Sequence, residues 1–252
     1  MGLVGWVWWS AACVSAPVPA AGELAAGAVQ VGSPSTEACR ATGEVQKQVD
    51  VPALKVDVYE VTQQQFEALR GYAPSFRRDC PTCPVDSVRH DEAEAYCEAR
   101  SAEEGLGSCY ACEGEAAEVR CEPRAEGCPG YRLPTEAEHE AAARASSGSA
   151  TPAGELTRCM ASDPVADRIG WYKANSGGFS QPVGGKQANA AGLYDSAGNV
   201  AEWTASVAAD GTAAVRGGSW YHNAEHMRSA ARLAAPADAR LSWVGFRCVR
   251  SR

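Results

Sequence analysis

Basic residues are in deficit in this sequence: 23 Lys and Arg stand against 31 Asp and Glu, a net charge of -8. A surface of that sign repels phosphate backbones, so sequence-independent nucleic-acid binding, which needs a basic face, is excluded. Length of apolar run is also lacking at the N-terminus, where residues 1–12 are apolar but too few to cross a bilayer as a helix. That run has the character of an export signal core without its usual Lys/Arg leader. Histidine is scarce, with only His90, His139, His222 and His226, which restricts the metal sites that imidazole can build.

Cysteine is what the chain has in quantity. There are eleven, and setting Cys13 aside leaves Cys39, Cys80, Cys83, Cys97, Cys109, Cys112, Cys121, Cys128, Cys159 and Cys248. Ten is an even number, as a disulfide framework requires, and disulfides belong to oxidising compartments. Cys80-x2-Cys83 and Cys109-x2-Cys112 also have the spacing of zinc ligand pairs or of a redox motif. The six further cysteines and the export-like start favour disulfides, Cys248 included.

The chain divides by composition. Residues 1–22 read as an export or lipoprotein signal: Ser10-Ala11-Ala12-Cys13 resembles a lipoprotein cleavage box, which would lipidate Cys13 and tether the protein to a membrane. Ordinary cleavage near Ala16 or Ala21 is the alternative. Residues 23–50 read as a flexible tether and lead-in, because Ala, Pro, Gly and Ser dominate up to residue 36 and offer little to bury. Residues 51–252 are then the folded domain, of 45% hydrophobic composition overall and with room for one good-sized core. The expected location is exported: periplasmic, outer-membrane lipoprotein or secreted.

Within that domain, early strands are expected over residues 51–61. A capping box from Thr62 to Gln65 opens a short helix that Gly71 stops. A second helix is expected from Asp91, with Glu94 as its reciprocal cap. A third follows Thr135, with Glu138 closing its box. Residues 105–131 read as an insertion held by disulfides, with nothing apolar to build a core.

The central stretch runs Gly192-Leu193-Tyr194-Asp195-Ser196-Ala197-Gly198-Asn199-Val200-Ala201-Glu202-Trp203. Asp195 and Glu202 with the carbonyls of Gly198 and Val200 could supply an oxygen set to one hard cation; the spacing alone favours a plain turn, and the structural calcium expected there rests on the strings around it. An Asx turn with Leu193, Tyr194 and Trp203 as core is the plainer alternative. Around it lie Glu60-Val61-Thr62, Arg132-Leu133-Pro134-Thr135-Glu136-Ala137-Glu138, Arg216-Gly217-Gly218-Ser219-Trp220, Arg228-Ser229-Ala230-Ala231-Arg232 and Gly245-Phe246-Arg247. In that order these strings resemble the formylglycine-generating enzyme, or sulfatase-modifying factor, family, from about Val56 to Arg250.

The resemblance implies an irregular, loop-rich α+β fold related to C-type lectins, here stabilised by disulfides. It also implies a second calcium site on Asn175 and Ser176, whose acidic partner is missing here, and a core position for His139, where the family usually has Trp. Enzymes of the family oxidise a protein cysteine to an aldehyde with oxygen and copper(I). That ion is held by two thiolates just after the Gly-Gly-Ser-aromatic string, as soft sulfur ligands select it. Residues 220–229 contain no cysteine, and His222 falls where the first is expected. Copper is therefore not expected. His222-Asn223-Ala224-Glu225-His226 also spells H-x-x-E-H, a zinc-peptidase string that needs a helix to place both His on one face.

What remains is a cleft expected from Ser219, Tyr221, His222, His226, Arg232 and Trp243, an aromatic and polar mix suited to recognition. The expected function is an exported binding module for an unidentified protein or small molecule. The alternatives are an oxidoreductase of the formylglycine-generating type acting through an altered site at His222, and an envelope scaffold without activity. Arg228, Arg232 and Arg247 are expected to be structural.

Overall fold

The computed structural model describes residues 21–124 and 127–252; what is expected of residues 1–20, Cys13 included, lies outside them. Two small sheets and two hairpins carry the chain, with long irregular loops between them. Strands β1 (Ala21–Leu24), β4 (Leu54–Asp57) and β11 (Val249–Ser251) form an antiparallel sheet with β4 in the middle. Strands β7 (Ala201–Val207), β8 (Thr212–Arg216), β9 (Arg232–Pro236) and β10 (Val244–Gly245) form the second, ordered β10-β7-β8-β9, with only the β10–β7 pair parallel. β2 (Gly27–Val31) pairs with β3 (Lys47–Val51), and β5 (Tyr110–Glu113) with β6 (Arg120–Pro123). Among the described residues no helix is long and apolar enough to cross a membrane.

Helix α1 (Gln63–Arg70) starts where the capping box predicts. Thr62 Oγ1 accepts the Gln65 N–H at 3.3 Å, Gln65 returns the bond to the Thr62 N–H at 2.9 Å, and Gly71 ends the helix at φ 77°. α3 (Glu136–Arg144) repeats the device with Thr135 and Glu138. α2 (His90–Glu103) begins one residue earlier than expected, because Glu92 rather than Glu94 closes onto the Arg89 N–H; Glu94 faces His90 instead. A fourth helix, α4 (Ala166–Ile169), was not expected.

The main core packs α1 and α2 onto the second sheet. Trp203 is fully buried and gives its Nε1–H to the Val88 carbonyl, while Phe66, Tyr96 and Phe246 stack and meet edge to face. Each ring of that size buried away from water stabilises the fold by about 1.5–3 kcal/mol.

Three expectations fail here. The tether assigned to residues 23–50 is built into the fold through β1, β2 and β3. Its loop is tied down by the Cys39–Cys159 disulfide and by Arg228, which reaches buried Glu37, Glu44 and Ser33. Its Ala- and Gly-rich composition hid these few strong anchors. The Cys-rich insertion is pinned by Cys109–Cys128 and Cys112–Cys121 as expected, yet it does feed the core: Tyr110 and Val119 are buried there. Cys80 bonds Cys83, so neither Cys-x-x-Cys pair is a zinc clamp. Cys248 is not in a disulfide; it and Cys97 are the free thiols among the described residues, both buried, and burial first, then the neighbouring Cys248, pushes the Cys97 thiol well up.

Asp163 organises the loop before α4. Its two buried oxygens accept N–H bonds from Thr157, Arg158, Val165 and Ala166 and the Thr157 hydroxyl. Burial opposes the charge, but these donors outweigh it and hold the carboxyl at about 2. Its contribution is therefore full above the ordinary Asp range near 4 and is lost as pH falls toward 2. Asp163→Ala is expected to cost about 1.5–3 kcal/mol at neutral pH, with less difference from wild type in urea titrations near pH 2–3. An equal loss at both pH values would remove the charge from the account.

Candidate functional site

Two places gather the residues singled out in the sequence: a buried turn and the exposed face that the turn supports. The turn is residues 195–202. Gly198 needs its glycine, since at φ 89° an added Cβ would lie 2.6 Å from the Trp171 carbonyl oxygen. Asn199 also takes a left-handed conformation, at φ 59°. Glu60 explains why that conformation holds: its carboxylate accepts Asn199 Nδ2–H at 2.7 Å and the Val200 N–H at 2.9 Å. The Glu60 string of the sequence is thus the clamp of the turn, a role its position alone did not disclose.

Glu202 and Asp195 are both buried, but they do not share a vacant centre. Both Glu202 oxygens take bonds from Arg247 Nε and Nη2 at 2.7–2.9 Å, and His139 Nε2 lies 3.1 Å from Oε2. Burial alone would raise the Glu202 carboxyl; Arg247 and His139 outweigh it and bring it to about 2. Asp195 Oδ2 accepts the Gly184 N–H while Oδ1 is buried without a partner, and burial lifts this carboxyl to about 6. Among the described residues, no three His, Cys, Asp or Glu side chains converge as metal ligands. A guanidinium already stands against the main carboxylate of the expected calcium set, and the donors present fit Arg247 better than a calcium ion. Asn175 and Ser176 are likewise engaged, by Tyr172, Asp167, Gly170 and the Trp220 carbonyl.

The turn also builds the face. The Asn199 carbonyl accepts the Trp220 N–H, and the Ala201 N–H donates to the Trp243 carbonyl, both at 2.8 Å. Trp220 Nε1–H closes the frame on the Ser242 carbonyl at 2.9 Å. Two distant segments are thereby held side by side by one turn, so their rings form a platform. Phe179 stacks on Trp220, Trp220 meets Tyr221 edge-on, and Tyr221 lies near parallel to Trp243. His222 and His226 continue the row, ring centroids 5.0 Å apart. Tyr221 is 57% exposed and Phe179 44%, high values for rings that nothing but packing or a ligand would stabilise.

Ser219 is fully buried beneath this face and holds His222 Nδ1 at 2.7 Å. Burial first, then the nearby His226, lowers His222 to about 4, so it is neutral at physiological pH. Of the expected cleft residues, Ser219, Tyr221, His222, His226 and Trp243 come together. Arg232 does not: its half-exposed side chain pairs with Glu136 at 2.8 Å, beside a separate cleft of about 420 Å³ lined by Glu44, Lys47, Glu136 and Arg216. Sequence reading missed Phe179 and Trp220 as platform members. The zinc-peptidase string is not helical in the required sense, because Ala224–Met227 is a single 3-10 turn that excludes His222.

A copper(I) centre does not fit these donors. Residues 220–229 have no thiol, and Cys97 and Cys248 are sealed in the main core at 0% exposure. One neutral imidazole does not replace the thiolate pair that selects this ion.

A family model described as the sulfatase-modifying factor enzyme 1-like domain matches residues 11–252. Over 185 residues the chain is 32% identical to the chaperone protein LppX of Paenibacillus barcinonensis, a match covering 62% of this chain and 63% of that protein. The chain thus matches less than two thirds of that relative's length. Its fold is similar to Treponema denticola variable protein 1, at 25% identity and a TM-score of 0.80 over 92% of this chain and 95% of the other. It is also similar to PvdO from Pseudomonas aeruginosa, at 24% and 0.74 over 93% and 95%, and to CarF, at 22% and 0.69 over 93% and 99%. The last two similarities concern fold alone.

Proposed function

From its membership of the sulfatase-modifying factor enzyme 1-like domain family, to which this chain belongs, we infer that it is a binding member without copper-dependent thiol oxidation. Its recognition face is the platform of Trp220, Tyr221, His222, His226 and Trp243. The observation that carries this reading is the pairing of an exposed, rigidly framed aromatic row with the absence of any thiol in residues 220–229. Solvent-facing rings of this kind are the anchors of protein interfaces. The relative named as a chaperone supports a polypeptide as the bound partner. Four disulfides support an exported location. At the central turn the positive charge beside Glu202 is that of Arg247, which supports a turn held without calcium.

The rival reading keeps the family's oxidation through His222 and a thiol brought by the substrate. Purified protein given copper(I), oxygen and a Cys-containing sulfatase peptide is expected to leave the peptide mass unchanged. Loss of mass as the thiol becomes an aldehyde would overturn the reading. A permanently unfolded protein such as reduced, carboxymethylated lactalbumin is expected to bind. Trp243→Ala and Tyr221→Ala are each expected to weaken that binding about tenfold or more. If such a chain fails to bind, an unfolded polypeptide is excluded as the partner.

A further inference from the structure

Between the disulfide-held insertion, α2, the start of α3 and β7 lies another cleft, of about 310 Å³, which shares no residue with the platform. Four charged side chains line it, Glu94, Arg124, Arg132 and Glu138, and two of them cancel. Arg132 gives Nη1–H and Nη2–H to the two oxygens of Glu138, each at 2.7 Å. Arg124 is exposed, with its Nε–H on the Tyr110 carbonyl at 3.2 Å.

Glu94 is different. It is 3% exposed, yet no described residue donates a hydrogen bond to its carboxylate. The nearest group that can carry the opposite charge is His90, whose Nδ1 lies 3.6 Å from one oxygen, longer than a hydrogen bond. The other ring nitrogen of His90 gives its N–H to the Thr204 carbonyl at 2.8 Å. Burial raises the Glu94 carboxyl, and His90 offsets this only in part. A cation entering the cleft would supply the donors that this carboxylate lacks.

The lining restricts the cation that fits. Calcium or magnesium takes about six or more oxygens, and among the described residues no three His, Cys, Asp or Glu side chains converge to begin such a shell. The Glu138 oxygens are already engaged by Arg132 and the Thr135 N–H. The side-chain acceptors left are the Glu94 oxygens and the Thr135 hydroxyl, which accepts the Glu138 N–H at 3.2 Å and keeps a second lone pair. A primary ammonium brings about as many N–H donors as these can take, whereas a guanidinium brings more and would leave some unpaired. Tyr110, Pro123 and Ala205 add apolar wall, against which a short methylene stem can lie behind the charge.

We propose that this cleft binds a primary ammonium on a short apolar stem, with the Glu94 carboxylate as its counter-charge. n-Butylammonium titrated into the full chain, followed by calorimetry and by the amide shifts of Tyr110, Thr135 and Ala205, is expected to saturate. Butan-1-ol, of the same length without the charge, is expected to bind at least about tenfold more weakly. Glu94→Gln keeps the shape and is expected to lose at least about tenfold, with circular dichroism confirming the fold. Arg124→Gln removes an exposed like charge and is expected to tighten binding about two- to fivefold.

Butylammonium that displaces the carboxymethylated lactalbumin assigns the group to a lysine side chain of a polypeptide. Butylammonium bound without displacing it assigns the group to a free amine, and either supports the cleft. Equal binding of amine and alcohol, no binding of either, or unchanged affinity in folded Glu94→Gln overturns it. If Glu94→Gln does not fold, an Arg124→Gln affinity no tighter than wild type overturns it instead. Failure of the lactalbumin to bind excludes that partner and leaves the cleft standing on butylammonium, and loss of the cleft leaves the platform of Tyr221 and Trp243 untouched.

Discussion

Arg247→Met is expected to destabilise the fold by about 3–5 kcal/mol, the cost of leaving a buried carboxylate without its partner. Arg247 is 2% exposed and makes three bonds to Glu202 plus bonds to the carbonyls of Asp57, Val58 and Tyr194. Methionine fills similar volume, so the loss reports charge and donors rather than a cavity. Glu202→Gln in the same chain is expected to recover part of the loss, since it removes the stranded charge. The pH dependence has a definite sign. Glu202, held at about 2, stabilises fully above its ordinary range near 4.5 and loses this as pH falls. Asp195, lifted to about 6, acts the other way, its ionisation costing stability as pH rises from about 4 through 6. In wild type, a chelator is expected to leave the melting temperature unchanged. A fall on chelation, reversed by calcium, would show that a metal and not the guanidinium neutralises this turn.

The elements most legible in the sequence were those whose signal is local. Thr62 and Thr135 announce their helices because the residues that satisfy the first amides lie three positions away. The family strings gave the fold because they sit at places where the backbone has few alternatives, such as Gly198 against Trp171. Long-range pairings were not legible. Nothing near Glu60 says that its partners are Asn199 and Val200, some 140 positions on. Arg232 was placed in the cleft by proximity in sequence, but it lies on β9 directly across from Arg216, and the sheet directs it to Glu136. Phe179 was passed over for the same reason: its stacking partner Trp220 is brought to it by the turn, and a lone Phe in a Gly-rich loop carries no periodic signal. The calcium set had the right spacing, but spacing does not disclose that Arg247 arrives from the C-terminal end to pair with Glu202.

Removing the Cys39–Cys159 bridge, as Cys39→Ser with Cys159→Ser, is expected to have an effect of comparable size. The bond joins residues 120 apart, and the chain-entropy account assigns about 4–5 kcal/mol to a loop of that length, with measured losses of about 2–5 kcal/mol for native bridges. The same segment has a second fastening in Arg228, whose guanidinium bonds Ser33, Glu37 and Glu44, all buried. The two act on different states. The bridge restricts the unfolded chain, whereas the ion pairs exist only when the segment is docked. The double serine variant is therefore expected to melt earlier as a whole, while the amides of Ser33 and Glu44, bonded to the carbonyls of Glu44 and Ala41, keep their hydrogen-exchange protection relative to the rest of the fold. Arg228→Met is expected to do the reverse, releasing those two amides preferentially while the bridge still holds the loop nearby. Selective loss of protection at Ser33 and Glu44 in the serine variant would show that the bridge holds the docked segment directly, and that Arg228 alone does not suffice to keep residues 33–44 in place.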